Sequence, residues 1–118
     1  MKGLYEYEAV ITSVYDGDTA TATIDLGFKV SIVKAKLRFF GINTPEIRGG
    51  TEETKTAARK SRDYVKDKIL NKKIRLRSVG KGKYGRYLTI IWPISEDGEV
   101  AKESLNDELI RLGLADPY

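Results

Sequence analysis

The segment Asp16-Gly17-Asp18-Thr19-Ala20-Thr21-Ala22-Thr23-Ile24-Asp25-Leu26-Gly27 decides the fold class of this chain. From Thr19 to Leu26 every second residue is apolar. Ala20, Ala22, Ile24 and Leu26 fall on one face, and Thr19, Thr21, Thr23 and Asp25 on the other, which is the period of two of a half-buried strand. Asp16-Gly17-Asp18 breaks the chain before it and Gly27 turns it afterwards, so a strand is predicted on either side. Upstream, Glu6 to Tyr15 sets Tyr7, Ala9, Ile11 and Ser13 against Glu8, Val10, Thr12 and Val14, with the β-branched enrichment of a partly buried strand. Downstream, Val30 to Phe40 gives a third run, closed by Gly41.

The pattern then changes. Between Thr51 and Leu70 no Gly or Pro interrupts, Thr51 can cap, and Glu52 and Glu53 sit where a helix macrodipole favours negative charge. Ala57, Ala58, Ser61, Val65 and Ile69 form the predicted inner stripe of this helix. Ile74, Leu76 and Ser78 alternate with basic residues in a fourth strand, and Gly80 to Gly85 forms a loop. A fifth strand runs from about Arg86 to Ile94, with Leu88, Ile90 and Trp92 on one side and Trp92 expected in the core. A short helix over Ser104–Leu112 is predicted to turn Leu105, Leu109 and Leu112 inward and to stop at Gly113. Three strands, a helix and two more strands predict an α+β, OB-fold-like five-stranded barrel, with the long helix between strands three and four and a short C-terminal helix. The first three strands are too close in sequence for parallel α/β crossovers.

A length of 118 residues allows one domain with one core, residues 1–118, and the 41% hydrophobic and 32% charged composition suits a compact fold. No apolar run approaches the ~20 residues that span a bilayer, and Glu6 and Glu8 interrupt the N-terminus. No membrane association is expected, and the chain reads as cytoplasmic or as a processed secreted fragment. The absence of cysteine removes disulfides and thiol nucleophiles from consideration. The absence of histidine leaves proton transfer to carboxylates, Lys, Tyr or a metal-bound water, and makes a hard cation with oxygen ligands the fitting metal. A net charge of +4 and a pI near 9.2 favour a polyanionic partner, and the basic residues crowd the second half.

Three segments carry the candidate chemistry: Asp16-Gly17-Asp18-Thr19, Arg38 through Glu46, and Lys83-Tyr84-Gly85-Arg86. Each is ordinary alone, a turn or a strand end. Together, at these spacings, they resemble the staphylococcal nuclease family from about Tyr7 to Ala115. The shared features are the Asp-Gly-Asp-Thr turn, an Arg followed eight residues later by the Glu of a Thr-Pro-Glu loop, the Tyr-Gly-Arg stretch and the closing helix. The resemblance implies a calcium-dependent nuclease that hydrolyses phosphodiester bonds of DNA and RNA, single-stranded in preference, to 3′-phosphate products. It implies that Asp18, Asn43 and the carbonyl of Thr44 ligate Ca²⁺, and that Glu46 is the general base. Arg38 and Arg86 match its phosphate-binding arginines, and Lys83 and Tyr84 match positions that contact phosphate and nucleotide. A monomer is expected.

Phosphodiester hydrolysis asks for these residue types. Negative charge grows on the equatorial oxygens, and two guanidinium forks meet it without losing protons. The sequence departs from the family at Asn43, where Asp is usual, so a weaker or altered metal site is expected. Family members also commonly continue into a third helix beyond the position of Tyr118, which leaves the C-terminal cover absent, reduced or removed. Two other classes compete: a degenerate copy that binds nucleic acid or protein without cutting, and a purely structural barrel with a basic surface. The latter predicts salt-sensitive binding without metal dependence.

Overall fold

The computed structural model describes residues 4–45 and 50–118, with the side chain of Lys83 also outside the description. The chain forms β1 (Glu6–Asp16), β2 (Thr19–Asp25), β3 (Ser31–Phe39), β4 (Ile42–Asn43), α1 (Glu52–Ile69), β5 (Lys73–Lys81), β6 (Tyr87–Pro93), α2 (Leu105–Arg111) and β7 (Asp116–Pro117). A 3₁₀ turn spans Lys83–Gly85. Five strands close into a barrel in the order β1-β2-β3-β6-β5, with β5 returning to β1. All pairings are antiparallel except β3 with β6, which run parallel through Leu37↔Tyr87, Arg38↔Leu88 and Phe39↔Thr89. The expected barrel with two helices is the observed one.

Alternation builds the core on the paired strands β2 and β3, where Ala20, Ala22 and Ile24 and, beside them, Ala35, Leu37 and Phe39 all turn into the interior. On β1 the predicted phase holds through Ala9 and Ile11 and then slips. A bulge between Ile11 and Ser13 leaves Thr12 and Ser13 both exposed and turns Val14 inward, so Ser13 is not on the buried face. On β6 the predicted phase is wrong by one residue. Thr89 and Ile91 are fully buried inside, while Leu88, Ile90 and Trp92 lie on the outer face and are only half-buried. Ile90 and Trp92 line a groove beside Ser104, Asn106 and Ile110 of the α2 region. An apolar outer face under a helix made both faces of β6 read as core.

Thr51 caps α1, its side chain accepting from the Thr54 amide, and Ala58, Ser61, Val65 and Ile69 are buried. Ala57 is exposed, because the buried stripe advances by three or four residues from Ala58 and leaves no room for its neighbour. Val65 and Ile69 join the barrel core. Ser104 caps α2, and Leu105 and Leu109 are fully buried, each burial stabilising by roughly 1.5–3 kcal/mol. Leu112 is exposed rather than inward, since the helix ends at that residue and Gly113 turns away with φ +74°.

Asn106, which the sequence reading left out, ties α2 to the sheet. Its buried amide accepts from Ile91 N–H (3.0 Å) and donates to the carbonyls of Phe40 (2.8 Å) and Thr89 (3.1 Å). That holds the turn leaving β3. Just beyond it, β4 pairs with β7 through Ile42↔Pro117 and Asn43↔Asp116, a small sheet the sequence did not announce. Among the described residues no helix is long and apolar enough to cross a membrane.

Candidate active site

The β1–β2 turn, the end of β3, β4 and the loop before β6 converge on one cleft of about 460 Å³. Asp16, Asp18, Arg38, Asn43, Arg86 and Tyr118 are among its lining residues. The convergence follows from pairing. Thr19 is registered with Arg38 across β2 and β3, the Phe39 amide donates to the Asp18 carbonyl at 2.8 Å, and β6 runs beside β3.

Gly17 brings the turn close enough to α1. A Cβ built there would sit 2.9 Å from Cβ of Ser61 and 3.0 Å from Cγ2 of Thr44, so any side chain would push the turn off both. Asp18 follows it and is only 6% exposed. A buried carboxylate is costly unless its lone pairs are met. Here Oδ1 accepts from the Thr19 hydroxyl (2.9 Å), Oδ2 accepts from the Thr44 amide (3.0 Å), and the Arg38 Nη1 stands 3.4 Å from Oδ2. Arg38 is itself constrained: Nη1 donates to the Phe39 carbonyl (2.9 Å), Nη2 reaches Oδ1 of Asn43 (3.4 Å), and its guanidinium lies 5.9 Å from the Tyr118 ring centroid.

Arg86 approaches from the opposite wall. The Gly82 amide donates to its carbonyl at 2.7 Å and closes the loop, in which Tyr84 adopts a left-handed φ of 62°. The Tyr84 ring is 88% exposed and lies under the Arg86 guanidinium at 5.8 Å. Among the described residues the buried Nε of Arg86 has no acceptor, a charged donor at the cleft.

The structure therefore gathers Asp18, Arg38, Asn43 and Arg86 on one cleft, joins Thr44 to it through Asp18, and sets Tyr84 at its rim. Glu46 and the Lys83 side chain lie outside the described residues. Asp16 and Tyr118 were missed. Asp16 stands in the same turn as Asp18 and was within reach of the sequence reading. Tyr118 carried no local signal, because only the β4–β7 pairing brings it beside Arg38, with its own amide donating to the Gly41 carbonyl at 3.0 Å.

The donors near Asp18 are all oxygens: the carboxylates of Asp16 and Asp18, the Asn43 amide and Thr44, whose buried Oγ1 has no partner among the described residues. Such a set fits a hard divalent cation with mixed carboxylate, carbonyl and water ligands. Among the described residues no group of three carboxylates, histidines or cysteines is placed to hold a metal ion.

A closed barrel with a helix inserted before its fourth strand and a carboxylate-and-arginine cleft defines an OB-like domain of nuclease type. The sequence model for the family described as staphylococcal nuclease homologues matches residues 36–118, and the chain belongs to that family. The match begins within β3, after the turn that carries Asp18, so Asp18 stands on its turn motif and on the cleft geometry rather than on that match. No curated protein matches the chain.

Proposed function

We propose that this nuclease-like domain is a calcium-dependent phosphodiesterase acting on DNA and RNA as a monomer, with unpaired strands preferred and 3′-phosphates as products. The observation that carries the reading is the convergence of Asp18, Arg38, Asn43 and Arg86 on one cleft. Arg38 and Arg86 take the non-bridging oxygens of the scissile phosphate, where their planar forks meet the charge that grows during attack. Arg38 is oriented for this by Asp18 and the Phe39 carbonyl, and Arg86 brings an Nε donor with no acceptor among the described residues. Glu46 takes the proton of the attacking water, which in a chain without histidine falls to a carboxylate. Asp18, Asn43 and the Thr44 carbonyl hold the cation. Calcium, when bound, supplies Lewis-acid polarisation of the phosphate and acidifies water beside it. Tyr84 offers an aromatic face to an unpaired base, and Lys83 a phosphate contact.

One observation favours a second reading, a domain that binds nucleic acid without cutting it. The Asn43 carbonyl oxygen is turned to Arg38, where it stands in for the carboxylate usual in the family and brings no charge to a cation. Cleavage of a labelled single-stranded oligonucleotide separates the two. Cutting in millimolar calcium, abolished by chelator and reduced at least about a hundredfold by Glu46→Ala, is the expected result. Tight binding without cutting in any divalent metal would leave the binding module as the function.

A further inference from the structure

Two basic strips leave the cleft, and the residues opposite them differ. On β5 the outward Arg77 and Arg75 are registered with Glu6 and Glu8 of β1, and Arg77 is ion-paired to Glu6 at 3.7 Å. On β3 the outward Lys36 is registered with Thr21, one step along from the Arg38–Thr19 pair. Lys34 follows on the same face. A bulge between the Ala22↔Ala35 and Ile24↔Ile32 pairs sets Thr23 opposite Val33 and Lys34, with Lys34 at φ 55°. The bulge lets Ile32 turn back to the core while Lys34 stays outside. Both lysines are exposed, and neither forms an ion pair among the described residues. Lys36 and Lys34 thus place positive charge over β2–β3 that continues the face of Arg38, on a floor of hydroxyl groups.

We propose that this face is a single-strand track continuing the active site: Lys36 and Lys34 hold successive phosphates of the strand whose scissile phosphate lies at Arg38. The inference rests on the nucleic-acid reading of the cleft and extends it. Side chains two residues apart on one strand are about 6–7 Å apart, so Arg38 and Lys36 are one such step apart, and Lys34, at the bulge, extends the row of cations to roughly 13 Å. The threonine hydroxyls can donate to phosphate oxygens without adding charge. Tyr15 is 60% exposed, at the register shift between the Val14↔Ala20 and Asp16↔Thr19 pairs, and gives an unpaired base a face to stack on. Asp25 ends the track at the far side of β2, its carboxylate accepting from the Gly27 amide at 2.8 Å. The track therefore accommodates about two phosphates beyond the scissile one, on one flank only.

The test compares fluorescein-labelled trinucleotides and octanucleotides by anisotropy in chelator, where the strands stay intact, across a salt series. The octanucleotide should bind at least about tenfold more tightly, and Lys34→Glu/Lys36→Glu should reduce that ratio to about threefold or less, lowering the slope of log K against log salt by about 1.4, or ~0.7 per lost phosphate contact. Arg59→Glu/Lys72→Glu changes the net charge equally at exposed positions in and just after α1 and should leave the ratio and slope unaltered. Circular dichroism melts confirm that both variants fold. Octanucleotides extended on only one side of a fixed cleavage position should differ in rate, and the difference should vanish in the Lys34/Lys36 variant. Equal binding of both lengths, failure of the octanucleotide to bind, or a ratio that survives the double substitution overturns the track. Length-dependent binding through these lysines without cleavage in calcium would retain the track and reject hydrolysis; cleavage without length dependence would do the reverse.

Discussion

The Thr44 amide donates a buried 3.0 Å hydrogen bond to Oδ2 of Asp18, joining the loop after β4 to a turn 26 residues earlier in the chain. The same oxygen lies 3.4 Å from Arg38. One carboxylate thus ties down the loop before residue 46 and orients Arg38, and in the proposed function it also serves as a cation ligand. Changing it should damage all three functions together, while changes to its neighbours should separate them.

Asn43→Asp adds a carboxylate beside that group. The expected outcome is calcium binding about tenfold tighter, or roughly 1.4 kcal/mol, read by calorimetry on the folded protein without substrate. Unchanged affinity would place the side chain of residue 43 away from the ion.

Gly17→Ala forces a Cβ into Ser61 and Thr44. Overpacking of this kind should cost about 1–3 kcal/mol in denaturant unfolding. Activity should fall further than the lost folded fraction accounts for, because the turn that moves carries Asp18. A variant of normal activity would show that the turn relaxes without displacing the carboxylate.

Arg86→Lys keeps the charge and removes the fork. The lysine has no Nε to direct and loses the planar face that lies over Tyr84. A fall of about a hundredfold or more in kcat with little change in KM is expected for a contact made mainly in the transition state, checked by steady-state cleavage kinetics. A change confined to KM would assign Arg86 to binding alone.

Away from the cleft, the Tyr64 hydroxyl donates to Glu108, and Lys68 pairs with the same carboxylate at 3.2 Å, locking α1 to α2. The Glu108 hydrogen bond, then burial, raises the Tyr64 pKa above its ordinary 10.0. For Lys68 burial pulls down, but the hydrogen bond and charge of Glu108 outweigh it and hold the group above 10.5. Groups raised on folding contribute stability that is complete below their unfolded pKa and is lost as pH rises through the folded one. Glu108→Gln should therefore lower the melting temperature at neutral pH, and its deficit relative to the unmodified protein should shrink above about pH 10–11. A deficit constant to pH 12 would mean that the carboxylate acts through packing alone.

Much of this molecule was legible locally. The period of two through Thr19–Ile24, the uninterrupted helix behind Thr51 and the glycine stops are consequences of backbone geometry that neighbouring residues decide among themselves. Together with the three separated motifs, they were enough for the barrel class and for the candidates Asp18, Arg38, Asn43, Thr44, Tyr84 and Arg86. The tertiary structure decided what depends on partners distant in sequence. The face of β6 that turns inward is settled by α2 covering the other side. The burial of Val14 in place of Ser13 is settled by a bulge against β2, and the arrival of Tyr118 beside Arg38 by the β4–β7 pairing. That Lys34 and Lys36 have no ion pair among the described residues has the same origin. Along the chain they resemble Arg75 and Arg77, and only strand pairing sets threonine rather than glutamate opposite them.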